Sequence, residues 1–287
     1  MQFSTWDTFF NLVLLIFWFQ VWNKGERRAY FNPFLASLAH LSNSAVSYVR
    51  PVFVGVRDNI IAAFIVAFLI VFRALLVSRG AIWGIAIGFH MSRAVTSNLL
   101  GCVVFSVVSF GFFLFQIWAI SLIYVQKRHP TAASHPVETI DVLSRPFTDI
   151  PAHLRPVSLL AYGSVLVILL ARFGVPVTMS MQGALVPPLS SMLQTPICAL
   201  AAGVDMLLVL RGFLIVLIIG SWVSMFSMSP GVTNFCREWM DLMLGPFRRY
   251  PLRVGMIDLT PLVAIFAVQF VHQLLQYILL RGYLQLA

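Results

Sequence analysis

Ten carboxylates, six histidines and three cysteines are all that this 287-residue chain offers for acid–base, metal or nucleophilic chemistry. A hydrolytic or transfer site needs such groups to converge, and the carboxylates (Asp7, Glu26, Asp58, Glu138, Asp141, Asp149, Asp205, Glu238, Asp241, Asp258) are scattered. Asp58 and Asp258 each stand just before an apolar run. There a carboxylate satisfies the orphan N–H groups of a helix start and meets the positive end of its dipole. Both are read as helix caps. His272 sits inside an apolar run beside Gln269, Gln273 and Gln276. Imidazole is a usual axial haem ligand, but a helix-to-helix hydrogen bond accounts for it more simply. Asp205 and Arg211 are six residues apart, so i,i+4 pairing along one helix face is not available to them. Arg73, Arg172 and Arg211 each lie close enough to a helix end to snorkel. Cys102, Cys198 and Cys236 share no metal-type spacing and no even count, so they are read as small packing residues. No catalytic, cofactor-binding or metal-ligating residue is expected, and the chain is not expected to be an enzyme.

The elements that carry these residues belong in a bilayer. The chain is 60% hydrophobic and 10% charged, against about 25% charged in a soluble globular protein. Six apolar runs are long enough to cross hydrocarbon: about 6–22, 59–78, 99–124, 157–173, 204–226 and 259–280. Two weaker segments, 81–97 with Gly84, Gly88 and Arg93, and 176–200 with Pro176, Pro187, Pro188 and Pro196, read as re-entrant, interfacial or surface connectors. The fold class is therefore all-α: a polytopic membrane protein of about six transmembrane helices.

Between paired spans one pattern recurs, at Asn32-Pro33, His135-Pro136 and Ser229-Pro230. Asn32 and Ser229 are good N-caps, and the following Pro occupies the first helical position, where its missing N–H costs nothing. In the third copy Val232, Phe235, Trp239, Met240 and Met243 recur at helical spacing around Arg237, Glu238 and Asp241, an amphipathic helix suited to an interface. The first copy has Leu35, Leu38, Leu41, Ala45 and Val49 before Arg50-Pro51; the middle copy has only Val137, Ile140 and Leu143 before Arg145-Pro146. The prolines are 103 and 94 residues apart. That separation fits a module of two spans flanking one interfacial helix, used three times: residues 1–98, 99–200 and 201–287, with interfacial helices near 33–49 and 230–244 in the outer two.

Most of the 19 Lys and Arg fall in the windows 23–58, 126–156 and 227–256. The positive-inside bias then puts these loops in the cytoplasm, or its organellar equivalent, and both termini on the other face. Residues 6–22 have no cleavage-type segment after them and read as a retained helix. Arg50, Arg57, Arg145, Arg248, Arg249 and Arg253 form the candidate surface for anionic lipid or an acidic partner, at about 1 kcal/mol per basic residue near a charged membrane. Nucleic acid is not expected, since the basic clusters are short and lack interleaved stacking aromatics.

The third copy continues through Gly245-Pro246-Phe247-Arg248-Arg249-Tyr250-Pro251 and Gly255-Met256-Ile257-Asp258-Leu259-Thr260-Pro261 into the apolar run with Gln269. This stretch resembles the signature of the YggT family, also called YlmG, of small membrane proteins. The first copy resembles it more loosely, through Asn32-Pro33, Arg50-Pro51 and Asp58, and the middle one is divergent. The resemblance implies a bacterial inner-membrane protein, or an organellar equivalent, with no catalytic chemistry. It implies an assembly or organising factor working with lipid and other membrane proteins. Links of the family to osmotic or potassium tolerance imply a channel or transporter as the alternative. Those of its plastid relatives to cytochrome-complex biogenesis imply an accessory subunit of a respiratory or photosynthetic complex. Single cysteines introduced at Arg27, Arg145 and Arg248 should all react with an impermeant maleimide from the same face of sealed vesicles.

Overall fold

The computed structural model describes residues 5–22, 32–79, 99–124, 135–173, 192–227, 230–245, 252–254 and 257–286, with short pieces at 180–181, 184–185 and 247. The connector 81–97 lies outside the described residues. Ten α-helices make up the described chain: α1 (Thr5–Trp22), α2 (Pro33–Val49), α3 (Asp58–Ser78), α4 (Leu99–Tyr124), α5 (His135–Leu143), α6 (Arg155–Arg172), α7 (Thr195–Val204), α8 (Met206–Ser227), α9 (Pro230–Met243) and α10 (Thr260–Gln285). Two antiparallel pairings of two residues each, β1 (Ser180–Met181) with β2 (Ala184–Leu185) and β3 (Arg253–Val254) with β4 (Ile257–Asp258), are the described β structure. The molecule is an all-helical polytopic membrane protein. Among the described residues, five helical segments are long and apolar enough to cross a bilayer, and Phe9–Trp22 is a shorter apolar helix.

The spans pack in a chain of neighbours. α1 and α3 lie against each other, α4 touches both, α6 and α7 follow, and α10 closes on α7 and α8. α4 is the centre. It contacts helices of all three units, and its apolar residues Phe105, Val108, Phe112, Leu114 and Phe115 are buried. Burial on every side of a helix this apolar is the expected outcome for a central element. The helix that follows the first connector thus forms the axis around which the other spans are arranged.

In a bilayer the hydrophobic effect does not drive helices together, so close approach and interhelical hydrogen bonds must. Gly111 and Gly163 supply the approach. A Cβ on Gly111 would stand 2.9 Å from Leu166 Cδ2, and one on Gly163 would stand 2.8 Å from Phe115 Cε2 and 3.1 Å from Ala199 Cβ. Both glycines lie on the α4–α6 seam. Arg73 supplies hydrogen bonds: it is fully buried, its Nη1 donates to Asn11 on α1 at 2.9 Å and its Nη2 to Ser109 on α4 at 2.7 Å, with the Phe105 ring 5.9 Å away. The expectation that Arg73 snorkels is corrected by this geometry. A guanidinium with five donors ties three helices where no water can serve it.

Two boundaries also change. The break drawn between residues 200 and 201 falls inside α7, and the C-terminal part of the Pro-rich 176–200 segment is helix, with Cys198 and Ala199 buried in the bundle. Pro196 does not prevent this, because it occupies the first turn of α7, where its missing N–H was unpaired in any case. Residues Met192–Val223 therefore form one apolar helical stretch, interrupted at Asp205 where α7 ends and α8 begins.

Gly163→Leu should lower stability by about 1–3 kcal/mol through overpacking against Phe115 and Ala199. Gly212→Ala, where an added Cβ meets nothing within 4 Å, should not. Thermal unfolding of the two variants in the same detergent checks this contrast.

Candidate functional site

The three Pro-led helices converge. Asn32 is fully buried at the N-cap of α2, where its Oδ1 accepts from Phe34 N–H at 3.0 Å and Leu35 N–H at 3.4 Å. The other end of the same carboxamide reaches α5: Nδ2 donates to the His135 carbonyl at 2.9 Å and to Thr139 Oγ1 at 3.1 Å. From α5 the link passes to α9, with His135 Nδ1 3.2 Å from Glu238 Oε2. Phe34 closes the triangle, its ring centroid 4.1 Å from that of Phe235 and 6.2 Å from that of Trp239. Trp239 in turn meets Phe213 of α8 edge-on at 5.1 Å. One platform of three interfacial helices results, with one helix from each unit.

The platform rests on the spans through polar and apolar contacts. Gln20 of α1 donates to Asn43 at 2.8 Å and accepts from Ser42 at 3.0 Å. The inward stripe of α2 is Leu35, Ala39, Ser42 and Val46, while Leu41 points outward. Of the predicted stripe, Leu35 is buried and Leu38, Ala45 and Val49 pack against the core, so Leu41 is the one member that faces outward, and Ser42 joins the inward face with Gln20 as its partner. On α9, Cys236 is buried and an added Cβ on Gly220 of α8 would lie 3.0 Å from its Sγ. Burial pushes the Cys236 thiol up from its ordinary value, with a backbone hydrogen bond partly opposing. All three cysteines are free and buried, and among the described residues no group of three metal-ligating side chains occurs.

Of the basic candidates, Arg50 and Arg57 are exposed on the turn between α2 and α3, and Arg145 is half-buried after α5. Trp18 Nε1 donates to the Arg145 carbonyl at 3.3 Å. Arg253 lies in β3, and the side chains of β3 and β4 are outside the described residues, as are Arg248 and Arg249. Arg155 serves the fold: its Nε donates to the Ile150 carbonyl at 2.8 Å and its Nη2 to that of Thr148 at 2.6 Å.

The two carboxylate caps are corrected. Asp58 is the first residue of α3, Arg57 is the N-cap, and no side chain caps that helix. Asp58 instead stands 3.8 Å from Arg50 Nε, both side chains well exposed, a pairing worth little in water. Asp258 pairs through its backbone with Arg253 in the small hairpin, which moves the N-cap of α10 to Leu259. Leu252 N–H donates to Thr260 Oγ1 at 3.1 Å and its carbonyl accepts from Leu259 N–H at 2.8 Å. Ser229 lies outside the described residues. Asn32 alone of the four has a described capping bond.

Below the platform lies a polar ladder that sequence reasoning undervalued. Asp205, 1% exposed, occupies the break between α7 and α8. Its Oδ1 accepts from Gln276 Nε2 at 2.8 Å and lies 2.9 Å from His272 Nε2. Gln276 Nε2 also donates to the Ala201 carbonyl at 3.2 Å, and Arg211 Nη1 donates to Gln269 Oε1. Asp205 and Arg211 do not face each other along their helix, but both face α10. Residues Gln269, His272 and Gln276 form one polar stripe at i, i+3 and i+7, and that spacing was the signal in the sequence.

Residues 199–279, which run from α7 into α10 and include this ladder, match the family described as CCB3/YggT. This part of the chain is similar to that family. No curated protein and no solved structure matches the chain. The family match spans the α9 arm of the platform, with Glu238, and every member of the polar ladder.

Asn32→Ser keeps a capping oxygen but cannot bridge to α5, whereas Asn32→Ala loses both functions. Helix caps and buried hydrogen bonds each contribute about 1 kcal/mol, so melting temperature in detergent should fall for Ser and fall further for Ala.

Proposed function

We propose that this protein is a non-enzymatic membrane scaffold or assembly factor whose platform engages anionic lipid and partner membrane proteins at the cytoplasmic surface. The observation that carries the reading is the joining of three amphipathic helices, one per unit, into a single connected layer through Asn32, His135, Glu238 and the Phe34–Phe235–Trp239 cluster. A set of independent surface helices would need none of these links. A rigid layer carrying Arg50 and Arg57 on its exposed edge presents preorganised charge, which lowers the entropic cost of binding.

The likeness of residues 199–279 to the CCB3/YggT family supports the same reading. Each basic residue near an anionic membrane contributes about 1 kcal/mol, so several together give specific lipid retention. The bacterial inner membrane, or its organellar counterpart, is the compartment this reading assigns.

Replacement of Arg50, Arg57, Arg145, Arg248, Arg249 and Arg253 by Gln should leave insertion intact and reduce both the anionic lipid retained on purification and the co-purification of partner membrane proteins. Lipid mass spectrometry and crosslinking in native membranes measure the two effects. Unchanged lipid and partner content in the variant removes the proposal.

A further inference from the structure

The ladder of the third unit contains a pair of groups that the platform does not use. Asp205, His272 and Gln276 are all buried, at 1%, 7% and 8% exposure. Asp205 Oδ1 already accepts a hydrogen from the Gln276 amide. With Asp205 ionised, the hydrogen in its 2.9 Å contact with His272 is carried by Nε2 of the imidazole. Two atoms are then left over. Asp205 Oδ2 and His272 Nδ1 are both buried without a hydrogen-bond partner.

A carboxylate beside a neutral imidazole carries one net negative charge, and an unpartnered charge in an apolar interior is strongly unfavourable. The surroundings offer limited relief. α4, which packs on α7 and α8, has no Asp, Glu, Lys or Arg. On α6 the cations are Arg155 and Arg172, at the two ends of the helix. Arg211, the cation on α8, is engaged with Gln269. Arg281 lies toward the end of α10 over the Tyr277 ring, and Cys198 and Tyr283 are the remaining titratable groups of α7 and α10. α9, which packs on α8, carries Arg237, Glu238 and Asp241, whereas α4, α6, α7, α8 and α10 hold no second carboxylate or imidazole.

We propose that Asp205, His272 and Gln276 form a proton-binding site inside the bundle, with Asp205 Oδ2 and His272 Nδ1 as the atoms that take up the proton. A proton from the aqueous phase forms an N–H bond at Nδ1, giving an imidazolium–carboxylate pair, or an O–H bond at Oδ2, giving a carboxyl beside a neutral imidazole. Either product is electrically neutral and gives an unpartnered atom a hydrogen; release returns the proton to water. Gln276 holds Oδ1 in place and anchors it to the Ala201 carbonyl, so the proton is exchanged without loss of the helix contact.

The test is pH-difference infrared spectroscopy on the full chain in lipid nanodiscs, with labelled histidine. The expected result is a reversible one-proton change as the pH is varied, seen as a carboxyl or an imidazolium band. Asp205→Asn should abolish it. His272→Gln retains a donor to Oδ1 and removes Nδ1, so it should shift the midpoint by about one pH unit or more. This second variant decides the matter if the first does not fold. A wild-type spectrum that is invariant with pH, one that responds to sodium or potassium instead, or a titration unchanged in the folded variants overturns the proposal.

Discussion

The carboxamide of Asn32 is the interaction on which the arrangement of the three units depends. It is fully buried, and both of its ends are used: the oxygen caps α2 and the nitrogen serves the first turn of α5. A hydroxyl or carboxylate can cap a helix, but neither can also donate two hydrogens across to a neighbour. The residue type that best fits a local rule thus also makes the long-range contact. From there His135 passes the link to Glu238, and the three Pro-led helices become one layer. The repeat seen along the chain is in this sense also a contact in space, since the repeated positions touch one another.

Under that layer the middle unit works as an axis. α4 is buried on most sides and carries glycine where α6 must come close. Backbone approach there replaces the hydrophobic drive that a soluble core would have. The outer units contribute the more polar joints: Arg73 with Asn11 and Ser109 on one side, Asp205 with His272 and Gln276 on the other. Apolar contact gives the bundle its bulk, and these few polar joints fix its registers.

Much of this was legible from residues alone. Span positions follow from runs of apolar residues, and the starts of α2, α5 and α9 follow from the proline at the first or second helical position, because both signals are local. The signature from Gly245 to Pro261 and the family match at residues 199–279 agree on the third unit. What could not be read was anything that depends on a partner far along the chain. Asp58 and Asp258 had the composition of caps, but Arg50 and the β3–β4 pairing respectively took them elsewhere. Arg73 looked close enough to a helix end to reach water until α1 and α4 supplied its acceptors. The α2 stripe holds except at Leu41, and the inward face also takes a hydroxyl, Ser42, whose partner Gln20 lies on another helix. Asp205 and His272 are 67 residues apart, and only the polar periodicity of α10 hinted that they meet.

The interruption at Asp205 has a mechanical consequence. An interrupted helix inside a bilayer leaves backbone groups that only protein can satisfy. The Ala201 carbonyl keeps a helical bond from the Asp205 N–H at 3.1 Å, and the Gln276 amide adds a second bond to that carbonyl and one to the Asp205 carboxylate. Turning α10 about its own axis, or sliding it by a turn, would take the Gln276 donor and the His272 contact from the carboxylate at once. α10 is thus keyed to α7 and α8 at this interruption like a tooth in a rack.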